Sequence, residues 1–155
     1  MHFNSLINHS EDWVKQLNTI AETTGLHSIL VMASLPTTMK VVFANHQPIY
    51  NQHDEGPKSV QEGCHELYCE RVVTTKKPLL ITDASVLPEW MNNEDLIKFG
   101  LGTYLGFPIL FDNNVIGTVC ALNKEEFDFQ MGSPSAYQQL VDLKDKIEQA
   151  IILSA

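Results

Sequence analysis

Apolar positions recur at helical spacing in two stretches of the chain, one near each end. Trp13, Val14, Leu17, Ile20 and Ala21 fall on one face of a predicted helix over 11–24. Ser10 stands where a cap belongs, Glu11 and Asp12 occupy the positive end of the helix dipole, and Gly25 ends the run. Leu140, Leu143, Ile147 and Ala150 do the same for a last helix predicted over 134–153, with Pro134 in its first turn.

Between these helices the period changes to that of strands. HSILVMAS (27–34) is apolar on both parities, which predicts a strand covered on both faces, and MKVVFAN (39–45) predicts its antiparallel partner. PLLI (78–81) reads as a short buried strand. TYLGFPILF (103–111) and VIGTVCAL (115–122) flank Asp112-Asn113-Asn114, a hairpin turn sequence. Proline cannot donate to a ladder, so Pro108 within the first of these strands must lie at an edge or a bulge.

The connections are less regular. Residues 45–57 (NHQPIYNQHDEGP) read as one long loop. Ser59-Val-Gln-Glu62 has the form of a capping box and predicts a helix through Cys64, Leu67, Tyr68 and Val72 to the lysines before Pro78. Residues 83–99 read as irregular, with one short helix over 92–99 stopped by Gly100, and Asp83 is expected to accept backbone bonds in the turn after the short strand. Strands in hairpins, with helices at the ends and on the long connection, define an α+β fold around an antiparallel sheet of five or six strands.

At 155 residues the chain is long enough for one domain with a real core, taken as 1–155. Nineteen acids against ten bases give a net charge of −9, which disfavours nucleic acid and anionic membrane surfaces as partners. No apolar run is long enough to span a bilayer and the N-terminus lacks the form of a signal peptide. Three cysteines make no disulfide framework and suit reduced thiols in the cytoplasm.

The segments YCERVVTTKKPLLITDA, GLGTYLGFPI and GTVCALN, in that order, resemble a GAF domain of the type attached to bacterial sensor kinases and cyclic-dinucleotide enzymes. The resemblance implies a central antiparallel sheet with the terminal helices on one face and a ligand cup on the other. The cup lies against the helix 60–75 and the segment 83–103.

Alternation divides the last hairpin into two sets. Tyr104, Gly106, Pro108 and Leu110 share one face, and Leu105, Phe107, Ile109 and Phe111 the other. On the partner strand Ile116, Thr118, Cys120 and Leu122 oppose Val115, Gly117, Val119 and Ala121. Pockets carry a few placed polar groups in an apolar lining, so the sets with Tyr104, Thr118 and Cys120 are the expected cup face. With Tyr68 and Trp90, from the helix and the irregular stretch, these make five candidate ligand-binding residues. The competing reading is that the residues of the hairpin are all core, with Tyr104 at the rim, and that Trp90 packs on the body of the domain.

The chemistry that the resemblance also brings into view fits less well. Some stand-alone relatives reduce free methionine sulfoxide with cysteines around the pocket. Cys64 and Cys69, five apart on the predicted helix, point about 140° apart, and Cys120 is in a strand. His65 and Cys69 make no zinc site by themselves. Cys64-His65 lies in the wrong helix for bilin attachment. The cyclic-nucleotide signature is met only by Asn123, Lys124 and Phe127 or Phe129. No phosphate loop or catalytic triad is present.

The expectation is therefore a non-enzymatic sensor of a small molecule, neutral or weakly charged, that holds no metal or bilin. It would signal through its terminal helices to an output domain or partner protein. A dimerisation or docking scaffold is the alternative, and a sulfoxide reductase the minor one. The apolar close of the last helix, Ile151 to Leu153, predicts a homodimer along the seam of Leu140, Leu143, Ile147 and Ala150.

Overall fold

The computed structural model describes residues 1–154. Six antiparallel strands form one sheet in the order β3-β2-β1-β6-β5-β4. They are β1 (Ser28–Ser34), β2 (Thr38–Ala44), β3 (Glu55–Pro57), β4 (Leu79–Ile81), β5 (Thr103–Phe111) and β6 (Asn114–Asn123). The helices are α1 (Asn4–Ile7), α2 (Ser10–Thr24), α3 (Tyr68–Thr75), α4 (Glu94–Phe99) and α5 (Ala136–Ser154). The architecture is the α+β arrangement expected.

Strand alternation separates two cores. Ile29, Val31, Leu105, Phe107, Val119 and Ala121 point to one face, where Leu17 and Ile20 of α2 and Leu140, Leu143 and Ile147 of α5 cover them. Both terminal helices therefore lie on the same face. Thr23 of α2 donates to Gln139 of α5 at 3.1 Å, while Trp13 stacks on Phe43 of β2 at 6.3 Å. The other face carries Leu30, Met32, Met39, Val41, Tyr104, Cys120 and Leu122 beneath α3 and the segment 84–101.

Pro108 is accommodated as proline requires. β4 begins at Leu79 opposite Gly106 and runs away from Pro108, so β5 is an open edge on that side at Pro108. One residue further on the register slips between Ile109 and Leu110. That bulge turns Ile116 onto the helix-covered core, away from the set of Thr118, Cys120 and Leu122 with which simple alternation grouped it.

The cap expected at Ser10 is absent, because the helix starts at Ser10 itself and its hydroxyl donates to the Ile7 carbonyl. Four further expectations need correction. The segment 45–57 is not all loop, because Glu55–Pro57 adds to β2 as an edge strand. The helix expected from Ser59 begins only at Tyr68. Gly63, at φ +78°, interrupts the path, and Cys64 lies in a turn whose amide donates to Gln61. The capping acid is Glu70 rather than Glu62. Its buried carboxylate accepts from the Leu67 amide at 3.1 Å, from the Ser59 amide at 3.0 Å and from the Ser59 hydroxyl.

The fourth concerns the seam of the last helix. Leu140, Leu143 and Ile147 are buried in the domain's own core, and Ile151, not Ala150, continues their stripe. Only Ile152 and Leu153 remain exposed at the apolar close.

Glu70 joins the turn at Ser59 to the start of α3, so its loss leaves two amides and a hydroxyl without their acceptor. We expect Glu70→Ala to cost about 2 kcal/mol, read as a lower urea midpoint at unchanged slope. An unchanged midpoint would show that water replaces the carboxylate without loss.

Candidate functional site

Between the sheet and the segments on its second face lies a partly open cavity of about 370 Å³. Its floor is β1, β2, β5 and β6, through Leu30, Met32, Met39, Val41, Tyr104, Cys120 and Leu122. Leu67, Tyr68 and Cys69 at the start of α3 form one wall. Ile49 and Tyr50, from the loop between β2 and β3, form another, and Glu94, Asp95, Lys98 and Phe99 of α4 a third. Asp54 and Glu55 complete the rim.

Each wall is held by bonds that the backbone alone does not supply. Gln47 folds the loop that carries Tyr50. Its Oε1 accepts from the Ile49 and Tyr50 amides at 2.7 Å each, and its Nε2 donates to the Tyr50 carbonyl at 2.6 Å. Asn93 caps α4, accepting from the Asp95 amide at 3.0 Å and the Leu96 amide at 3.3 Å. Its Nδ2 donates across to the Glu66 carbonyl at 3.0 Å, tying α4 to the approach to α3. One bond then crosses the mouth. The Tyr50 hydroxyl donates to Asp95 Oδ1 at 2.7 Å.

At the floor, Tyr104 lies over Gly106. A Cβ built on Gly106 would stand 2.2 Å from the Tyr104 hydroxyl, so the residue at 106 must be glycine for the ring to lie flat along the strand. The Tyr104 ring packs on Tyr68 at 5.1 Å. The Tyr68 hydroxyl donates to the Leu101 carbonyl at 3.0 Å. The Tyr104 hydroxyl and Thr118 Oγ1 are buried with no oxygen or nitrogen partner, and both face the Cys120 thiol.

Burial dominates the protonation of the site. It pushes Cys120 up to about 12, against the opposing influence of the Tyr104 and Thr118 hydroxyls. It holds Cys69 well above an ordinary thiol, with the neighbouring Cys120 adding to the effect, and raises the Tyr104 phenol for the same reasons. Asp95 is also raised by burial, opposed by the bond from Tyr50. Both thiols are therefore neutral at physiological pH, and neither is an activated nucleophile.

Three of the five candidate residues, Tyr68, Tyr104 and Cys120, line the cavity, and the face chosen by alternation is the cavity face. Trp90 and Thr118 do not line it. Trp90 is buried behind Tyr68, with ring centroids 5.1 Å apart. It is covered by the Arg71 guanidinium at 4.6 Å, which Glu66 at 2.6 Å and Glu89 at 3.2 Å hold in place. Thr118 is on the right face but fully buried, paired with Met32 and Pro108 on the flanking strands.

Tyr50 and Asp95 were missed. One stands in a polar loop and the other in a short acidic helix, and nothing in their spacing joins them. Asp83 behaves as expected, accepting from the Ser85 amide at 3.0 Å. Among the described residues, no group of three or more His, Cys, Asp or Glu is placed to hold a metal ion. No described helix is long and apolar enough to cross a membrane.

A sheet with its terminal helices on one face and a cup on the other is the arrangement of the GAF domain, and the GAF family model matches residues 15–151. The chain belongs to the GAF family. No curated protein matches it in sequence.

Solved structures match it in fold. The GAF domain region of a putative membrane protein from Geobacter sulfurreducens is 13% identical, covers 97% of this chain and 99% of its own, and superposes with a TM-score of 0.68. The GAF domain of a phosphoenolpyruvate-protein phosphotransferase from Acinetobacter is 14% identical, with coverage of 97% and 95% and a TM-score of 0.66. A type II free methionine-R-sulfoxide reductase from Thermoplasma acidophilum is 10% identical, with coverage of 92% and 91% and a TM-score of 0.66.

Proposed function

We propose that this GAF domain is a cytoplasmic sensor. It takes a small organic molecule into the cavity between sheet and α3, performs no chemistry on it, and passes occupancy to a signalling partner through α2 and α5. The observation that carries the reading is the cavity itself. At about 370 Å³ it falls in the size range of small-molecule sites, roughly 300–1,000 Å³, and its floor is an apolar sheet face with Tyr104 set in it.

The sheet is the route to the helices. Tyr104 and Cys120 on the cavity side alternate with Leu105, Val119 and Ala121, which lie under α2 and α5. A ligand that shifts β5 against β6 moves the surface on which α5 rests. It transmits a signal only to the extent that it binds one packing better than the other. A homodimer belongs to the same reading. With the seam residues buried, a second copy would meet the exposed Ile152 and Leu153.

The test is purification under native conditions, followed by native mass spectrometry and extraction of the denatured protein. We expect a retained small molecule. We also expect that adding it back to stripped protein at a hundred times its Kd stabilises the fold by about 2.7 kcal/mol, a rise of roughly 5–10 °C in Tm. Protein that carries nothing and gains no stability from a broad metabolite set would favour a docking scaffold.

The sulfoxide reductase reading has one observation on its side, the presence of both Cys69 and Cys120 in the cavity wall. Their neutral, buried state stands against it.

A further inference from the structure

Charge at the mouth and aromatic rings along the wall together say what kind of molecule the cavity suits. We propose that the ligand is an organic cation, an amine or quaternary ammonium on an apolar body, with its charged head beside Asp95 and Tyr50 and its body over the Tyr68–Tyr104 floor. This rests on the sensing reading above and narrows it.

The rim and walls carry four carboxylates, Asp54, Glu55, Glu94 and Asp95, and one ammonium, Lys98. Glu94 already pairs with that ammonium. Arg71 lies outside the cavity lining and is taken by Glu66, Glu89 and Trp90. Among the described lining residues the one cation is thus already paired, and an anion entering would face the three remaining acids. Asp54 and Glu55 are engaged only by neutral donors, the Asn51 amide and the Thr38 hydroxyl. Asp95 is engaged at Oδ1 by Tyr50.

Aromatic faces supply the second part. Tyr50 and Phe99 meet edge-on at 6.1 Å beside Asp95, and Tyr68 and Tyr104 lie at 5.1 Å deeper in. Rings of this kind attract a desolvated ammonium through their quadrupoles, and a carboxylate among them completes its neutralisation.

Two isosteric series test the proposal on the intact protein by titration calorimetry: tryptamine, tryptophol and indole-3-acetate, and phenethylamine, 2-phenylethanol and phenylacetate. We expect at least one amine to bind ten-fold or more tightly than its alcohol, and the carboxylates to give no heat. Asp95→Asn, which keeps an acceptor for Tyr50, should erase that preference.

Equal or tighter binding of an alcohol or a carboxylate overturns the cation assignment, and so does the absence of binding in both series. Neither result touches the sensing reading, which is decided separately by the retained molecule. If Asp95→Asn fails to fold, the two series on the unaltered protein decide alone.

Discussion

Gly117→Ala is expected to destabilise the fold by at least about 3 kcal/mol, although it adds one methyl group to a strand. The backbone at 117 is not in the left-handed region, so conformational freedom is not the reason. The reason is space. A Cβ at 117 would stand 2.0 Å from the Met32 carbonyl oxygen and 3.0 Å from the Phe3 ring. The first contact is with backbone of the neighbouring strand, at the last pair of the β1–β6 ladder, where Ala33 faces Gly117. It can be relieved only by separating the two strands.

Overpacking against side chains typically costs about 1–3 kcal/mol, and a clash with ladder backbone has fewer ways to relax. For a domain of this size the loss should lower Tm by roughly 6–12 °C. Gly106→Ala is the internal control. Its Cβ would meet the Tyr104 ring, a side chain that can turn away, so it should cost less stability and disturb the cavity more. A loss below about 1 kcal/mol for Gly117→Ala would mean that β1 and β6 do not approach as closely as described.

What was legible in the chain follows the reach of each physical cause. Period-2 alternation identified both strands of the last hairpin and chose the cavity face, because residues two apart share a face whatever the rest of the fold does. The end of α2 at Gly25 was legible for the same local reason, since a left-handed φ of +82° suits glycine. Alternation failed at Ile116, where a bulge inserts one residue and shifts the parity.

Thr118 shows another limit. Parity gives the face of a sheet but not where along the strand the cavity opens. Trp90 was bound to bury itself, and that it does so against Tyr68 and Arg71 depends on the path of the irregular segment. The acid that caps α3 is eleven residues from the serine it holds, beyond the reach of any local capping pattern. Tyr50 and Asp95 are forty-five residues apart and meet only after both connections have folded over the sheet. The floor of the site was readable, and its mouth was not.

The three cysteines should separate sharply in reactivity, and the result bears on whether the site does chemistry. Alkylation and disulfide exchange proceed through the thiolate. With Cys120 pushed up to about 12 from 9.0, its thiolate fraction near pH 8 is roughly a thousandth of that of a free cysteine. Burial then limits access further, for Cys120 and Cys69 alike. Cys64, half-buried in the turn before α3, has no such protection. Iodoacetamide on the native protein should therefore modify Cys64 and spare the other two, while all three should react in urea, as peptide mass spectrometry would resolve. Occupancy of the cavity should slow Cys69 and Cys120 still more. Rapid modification of Cys120 in the folded protein, or consumption of free methionine sulfoxide in the presence of dithiothreitol, would replace the sensor with a thiol enzyme. Unreactive cavity thiols would remove the reductase reading, with Cys69 and Cys120 serving as apolar wall.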